Sequence, residues 1–201
     1  CSRRENGRWQ SPVKIAHQDG IPHWNPVLFR RKDGIILMFY KVGHSVTQWH
    51  TIVMTSSDNG STWSIPAALT DDGIGGRGPV KNKPIELDNG VLLAPASIES
   101  DCWNAFVDIS YDQGKTWTKS EIVPVKHANQ KKQNFGLSQA GEFLYKLRGK
   151  GLIQPTLWES TPGNVHMLLR STEGRIFRSD SRDSGKTWSP AYPTILPNNN
   201  S

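Results

Sequence analysis

Lys41, Ser97 and Arg170 stand at one shared offset from three turn glycines, Gly34, Gly90 and Gly163. A second shared position, the residue before a proline, holds Asn25, Lys83 and Gln154. If each glycine closes a hairpin, the residue before the proline opens the first strand and the offset residue ends the second. In an antiparallel hairpin those two ends are neighbours. Asn25 then meets Lys41, Lys83 meets Ser97, and Gln154 meets Arg170. The set is made of cations and amides with few apolar residues, which suits a carboxylate-bearing sugar. Arginine fits that task because its planar guanidinium grips a carboxylate through two parallel hydrogen bonds and stays charged. Glu99 follows on the strand of Ser97 and shares its face, where a carboxyl group can act as a general acid or base. Lys81 and Asn82 extend the polar cluster ahead of Lys83. Each of these has a plainer reading beside it. Arg170 could pair at the surface with Glu173 or Glu159, Glu99 could be a rim carboxylate, and Lys81, Asn82 and Lys83 could be solvated strand-end residues. His23 and His50 read first as packed or surface histidines, and Trp49 and Trp103 as core aromatics rather than sugar platforms.

A repeat positions these residues. Ser56-Ser57-Asp58-Asn59-Gly60-Ser61-Thr62-Trp63, Ser110-Tyr111-Asp112-Gln113-Gly114-Lys115-Thr116-Trp117 and Ser181-Arg182-Asp183-Ser184-Gly185-Lys186-Thr187-Trp188 share the pattern S-x-D-x-G-x-T-W. The pattern describes a β-hairpin corner. Asp and Ser bond nearby backbone groups, Gly takes a positive φ, and Trp packs beneath the turn. Trp9-Gln10-Ser11-Pro12 has the spacing of Trp63-Ser64-Ile65-Pro66 and reads as the tail of an earlier unit. Trp9, Trp63 and Trp117 recur every 54 residues, whereas Trp117 to Trp188 is 71. The surplus falls in the basic stretch 126–150, which is therefore expected to be an insertion in one repeat.

Each unit reads as four strands. The first strands are Asn25–Phe29, Lys83–Leu87 and Gln154–Trp158. The second are Ile35–Lys41, Val91–Ser97 and Val165–Arg170. The third run from near Trp49, Trp103 and Arg175 into the boxes, and the fourth follow the box tryptophans. The turns at Asp33-Gly34 and Asn89-Gly90 are strong hairpin signals. Four short strands per unit at this period predict blades of an all-β propeller. The chain is expected to hold about three blades plus partial flanking blades of a larger propeller, as a single domain over 1–201.

The boxes resemble the Asp-box, or bacterial neuraminidase repeat, of the sialidase superfamily. Trp24-Asn25-Pro26-Val27-Leu28-Phe29, Gly78-Pro79-Val80-Lys81-Asn82-Lys83-Pro84-Ile85, Ile153-Gln154-Pro155 and Leu168-Leu169-Arg170-Ser171 are similar to its sialidase-like Asp-box branch. The resemblance implies a six-bladed propeller of sialidase type that removes a terminal sialic acid from glycans. It also implies that Arg170 is one of three arginines that clamp the substrate carboxylate. The family's nucleophile is a tyrosine activated by a glutamate, an exception to the usual pair of carboxylates. Gln154 holds the position that best matches that glutamate, and an amide does not act as a base at neutral pH. The remaining diagnostic residues are expected before Cys1 and beyond Ser201. On this reading Arg170, Glu99 and Gln154 are the catalytic candidates. Asn25, Lys41, Asn82, Lys83 and Arg170 are the substrate-binding candidates. Two alternatives stand beside it: a lyase or hydrolase of uronate-bearing glycans, and a non-catalytic propeller that binds glycans or proteins through 126–150.

Composition bounds the partners. Lys plus Arg is 24 against 18 Asp plus Glu, for a net charge of +6. Most of that excess lies in 126–150, with Lys126, Lys131, Lys132, Lys146, Arg148 and Lys150 against Glu142. The expected partner is an acidic glycan. Zinc-finger spacing and RNA-binding aromatic signatures are missing, so nucleic acid is not expected. The longest apolar run, Ile35–Tyr40, is strand-sized, so no membrane span is expected. With no ligand spacing for a metal, neither a metal nor another cofactor is expected.

Overall fold

In the computed structural model, residues 1–73, 75–100, 102–125 and 150–198 are described. The basic stretch lies almost wholly outside them. Every strand ladder but one is antiparallel. A short hairpin, β1 (Arg4–Glu5) and β2 (Arg8–Trp9), precedes the first four-stranded meander. That meander is β3 (His23–Arg30), β4 (Ile36–Val42), β5 (His50–Ser56) and β6 (Ala67–Ala68), paired in chain order. The second is β7 (Ile85–Glu86), β8 (Leu92–Glu99), β9 (Cys102–Ser110) and β10 (Thr118–Lys119). The third is β11 (Lys150–Thr161), β12 (Asn164–Ser171), β13 (Arg175–Ser181) and β14 (Tyr192–Pro197).

The first-to-second-strand hairpins turn on Gly34, Gly90 and Gly163, all at positive φ. The three boxes repeat one hydrogen-bond set. The Ser56 hydroxyl donates to Asp58 Oδ1 at 2.8 Å and accepts from Gly60 N at 2.8 Å, while Thr62 N donates to Oδ1 at 2.9 Å. Ser110, Asp112, Gly114 and Thr116 do the same, as do Ser181, Asp183, Gly185 and Thr187. Hydrogen bonds from Thr62 hold the Asp58 carboxyl down at about 2, and those from Thr116 hold Asp112 at about 2. A carboxylate that accepts several such bonds favours its charged form.

The boxes also join neighbouring meanders. Trp117 stands edge-on to Phe39 of the first meander with ring centroids 5.9 Å apart. It closes a core of Val27, Leu37, Phe39, Leu69, Leu92 and Ala94. Trp188 enters the core between the second and third meanders with Leu87, Leu93, Val107, Leu157 and Met167. Trp9 differs from these box tryptophans: it is 71% exposed, against 6% for Trp117 and Trp188. Residues of the segment after it, Ile15, Ala16 and Ile21, pack instead on Met38, Tyr40, Val42 and Met54 of the first meander.

The first strand of the third unit differs from its expected span. It begins at Lys150 rather than Gln154, and its start runs parallel to β9, with Lys150 opposite Cys102 and Gly151 opposite Trp103. A Cβ at Gly151 would lie 2.2 Å from the Trp103 carbonyl oxygen, and its φ is +137°. Only glycine permits that approach. The second and third meanders are thereby one eight-stranded sheet. Among the described residues no helix is long and apolar enough to cross a membrane.

Candidate functional site

Two strand starts carry matching bulges. In β3 the register breaks between Trp24 and Val27, and in β11 between Ile153 and Thr156. Asn25 and Gln154 sit in these breaks at φ +48° and +53°, each directly before a proline. A proline disfavours such backbone in the residue before it, so both positions hold local strain. The bulge turns the side chain out of the regular alternation, a known way to aim a residue beside a site. Neighbouring registers pair Trp24 with Lys41 and Ile153 with Arg170, so the predicted ends do meet.

The β11 bulge is held from the preceding meander. Asn82 Nδ2 donates to the Gln154 carbonyl at 2.8 Å and to the Pro155 carbonyl at 3.0 Å. Gln154 N reaches Ser97 Oγ at 3.5 Å. The Gln154 side chain then joins two charged groups. Its Oε1 accepts from Arg170 Nη1 at 3.3 Å, and its amide lies beside Glu99 and favours the charged carboxylate there. Burial pushes the Glu99 carboxyl above its usual range, with the charges of Arg170 and Lys81 pulling against that rise. Arg170 is half-buried and its Nε has no partner among the protein groups. A cleft of about 370 Å³ opens beside this group, lined in part by Lys81, Asn82, Gln154, Thr156 and Arg170.

Glu99, Gln154, Arg170 and Asn82 are thus brought together. Asn25 holds the equivalent bulge in the first meander and is not among the residues that line this cleft.

Lys41 is corrected. Its side chain is fully buried, not free at a channel mouth. Its Nζ donates to Thr51 Oγ1 at 2.6 Å, to the Arg77 carbonyl, and to the Gly78 carbonyl at 3.3 Å. It also lies 5.6 Å from the Trp49 ring centroid. Burial lowers its pKa to about 7, against the pull of Asp108 and Glu99. Asp108, also fully buried, accepts from Arg77 Nε and Gly78 N at 2.6 Å each. The register placed Lys41 correctly; the loop bearing Arg77 and Gly78 covers it.

The Lys83–Ser97 pairing is also corrected. β7 spans only Ile85–Glu86, so the ladder stops at Ile85 opposite Leu93. Lys83 is left exposed. Trp49 is buried, in keeping with a core aromatic.

A second cluster lies on one face of the third meander and was not singled out in the sequence. His166 on β12 faces Asp180 and Arg178 on β13, Tyr192 on β14, and Trp158 and Ser160 on β11. Its sequence signal is a polar residue where both sister repeats carry leucine, Leu37 and Leu93. Among the described residues no group of three or more His, Cys, Asp or Glu is placed to hold a metal ion.

Three consecutive meanders, box-locked corners and inter-meander tryptophans define a propeller-like chain of the sialidase type. The whole chain, residues 1–201, matches the BNR repeat-like domain family, and it belongs to that family. A curated sialidase of Clostridium perfringens is 30% identical over 96 aligned residues, covering 39% of this chain and 24% of that enzyme. The Hadza microbial sialidase superposes with a TM-score of 0.71 at 18% identity, over 97% of this chain and 40% of that one. An α-L-arabinofuranosidase of Fusarium graminearum superposes with a TM-score of 0.60 at 17% identity, over 85% and 48%. The chain thus matches about a quarter of the length of its curated relative and under half of these two structures.

Proposed function

We propose that this chain supplies part of the sugar site of a sialidase-like glycoside hydrolase that acts on a terminal acidic sugar. The observation that carries the reading is Arg170, held by Gln154 beside Glu99 at the edge of an open cleft. Arg170 lines the cleft, with Nη1 on Gln154 and Nε buried. A sugar carboxylate in the cleft takes the terminal guanidinium donors through charge-assisted bonds. Asn82 and Gln154 add amide groups for hydroxyls, and Lys81 adds a second cation. Glu99, with its raised carboxyl pKa, donates or accepts the proton. In this reading six blades close the full propeller, and Asn25 lies on the same mouth.

Gln154 favours a second reading. An amide takes the place where the sialidase resemblance implies a base, which suits a lyase or hydrolase of uronate-bearing glycans with Glu99 as its proton acceptor. One experiment separates the two. The full-length protein is incubated with sialosides and with uronate-terminated oligosaccharides, and products are identified by mass spectrometry. Free sialic acid supports the first reading, and released or unsaturated uronate supports the second. A folded protein that yields no product from either panel overturns both and leaves the glycan- or protein-binding propeller.

A further inference from the structure

One face of each of the three meanders carries equivalent residues in register. Phe29, Leu37 and Thr55 lie side by side across β3, β4 and β5. Ile85, Leu93 and Ile109 do so across β7, β8 and β9. Trp158, His166 and Asp180 do so across β11, β12 and β13. In the first two meanders this face is apolar, and the following box tryptophan closes over it. In the third, charged and polar side chains replace the apolar set. These side chains bond to one another across the strands.

The side chains on it are ordered as a relay. Ser160 Oγ is 2.7 Å from His166 Nε2, and His166 Nδ1 is 2.5 Å from Asp180 Oδ1. Nδ1 has two partners, the Asp180 carboxylate, which accepts, and Arg178 Nη2, which donates. In the tautomer that bonds Asp180, Nδ1 carries the hydrogen and Nε2 accepts from the Ser160 hydroxyl. The opposite tautomer would set an unprotonated Nδ1 against a carboxylate oxygen. Asp180 is kept charged: burial raises its carboxyl pKa, but bonds from His166, Arg178 and Tyr192 outweigh it. Arg178 is held by Asp180 at 2.9 Å and by the Trp158 ring at 5.3 Å, which accounts for its place 3.0 Å from Nδ1. Trp158 also packs on the imidazole, with centroids 5.1 Å apart, and fixes its plane. Ser160 is exposed and, with Trp158 and Lys32, lines a cleft of about 350 Å³.

From this geometry we infer that Ser160, His166 and Asp180 form a second catalytic site, a serine acyl-transfer centre for small carboxylic esters. Nucleophile, base and orienting carboxylate are recognised by geometry and role rather than by sequence order. Ser160 Oγ bonds to the ester carbonyl carbon as its proton passes to His166 Nε2. The ester C–O bond then breaks, and the departing alcohol oxygen takes the proton from Nε2. Water repeats the sequence, giving its proton to His166 and releasing the carboxylic acid, while Ser160 recovers its own. Asp180 holds the imidazole and balances the transient imidazolium. The site is independent of Arg170.

The test uses the full-length protein and a fluorophosphonate probe, in which Ser Oγ displaces fluoride from phosphorus. Peptide mass spectrometry then locates the adduct. The expected result is an adduct at Ser160 that is absent in Ser160→Ala and unchanged in Arg170→Ala. In His166→Gln its formation slows by about a hundredfold or more, the usual worth of a general base. Hydrolysis of p-nitrophenyl acetate should fall in step. Asp180→Asn serves as a second variant if His166→Gln does not fold. No adduct at Ser160 in the folded protein, or an adduct formed as fast in His166→Gln and Asp180→Asn, overturns the inference.

Discussion

Arg170 Nη1 donates to Gln154 Oε1 at 3.3 Å, and the same amide favours the charged form of the Glu99 carboxyl group. The amide therefore stands between a guanidinium and a carboxyl group. A glutamate at 154 would present a second carboxyl group to Glu99, and the two would compete for one proton. Gln154→Glu should therefore shift the low-pH limb of the activity profile upward, as a pH–rate series on the active sugar would record. Arg170→Ala should lower kcat/KM by about 10- to 150-fold, the range expected from losing charge-assisted hydrogen bonds. Arg170→Lys keeps the charge but loses the fork and should recover only part of it.

Glu99 offers a sign that can be checked. Burial raises its carboxyl pKa above the usual 4.5 of a glutamate. If it works as a base, activity falls as pH drops through a value above 4.5, and Glu99→Gln removes most of the turnover at every pH. Unchanged turnover in Glu99→Gln would end its catalytic assignment.

Lys41 makes a different pH prediction. Its folded pKa of about 7 is below the usual 10.5 of a lysine. Between these two values the unfolded chain binds the extra proton, so stability should rise with pH across that window. Below about 7 this group contributes no slope. Lys41→Met should flatten the rise, as urea midpoints measured from pH 7 to 10.5 would show.

The box aspartates predict the opposite end of the scale. Asp58 and Asp112 are held at about 2, below the usual 3.8 of an aspartate. Their contribution is complete above about 4 and should be lost as pH falls through about 2. Asp112→Asn should remove part of that acid dependence in a thermal melt series.

Trp188 tests the joint between meanders. It is 6% exposed within the core that Leu93 and Met167 also enter. Trp188→Ala should cost about 3–5 kcal/mol, the range for truncating a large buried aromatic residue. Denaturant unfolding measures it directly.

The boxes were legible because each is a local hydrogen-bond set, closed within eight residues by Ser, Asp, Gly and Thr. The hairpins were legible for the same reason, and they carried the neighbourhoods of Asn25 with Lys41 and Gln154 with Arg170. What surrounds those ends is non-local. The carbonyls of Arg77 and Gly78 that bury Lys41 come from a loop between repeats, with no periodic signal. The short β7, which leaves Lys83 in solvent, and the parallel start of β11 likewise depend on chain segments far apart in sequence. The His166 cluster was visible only by setting the repeats side by side, because a single histidine on an alternating strand reads as an ordinary surface residue.

The parallel contact at Gly151 and Trp103 also sets how the molecule should come apart. It stitches β7 to β14 into one continuous hydrogen-bonded sheet, whereas no strand ladder joins β3–β6 to it among the described residues. Among the described residues the first meander is fastened mainly by side chains: the core around Trp117, the buried Lys41, and the bonds of Arg31 to Gln113 and of Lys32 to Glu86 and Leu87. Its amides should exchange with solvent through a partial opening that leaves the larger sheet closed, while those of the second and third meanders should exchange together, as a single cooperative unit.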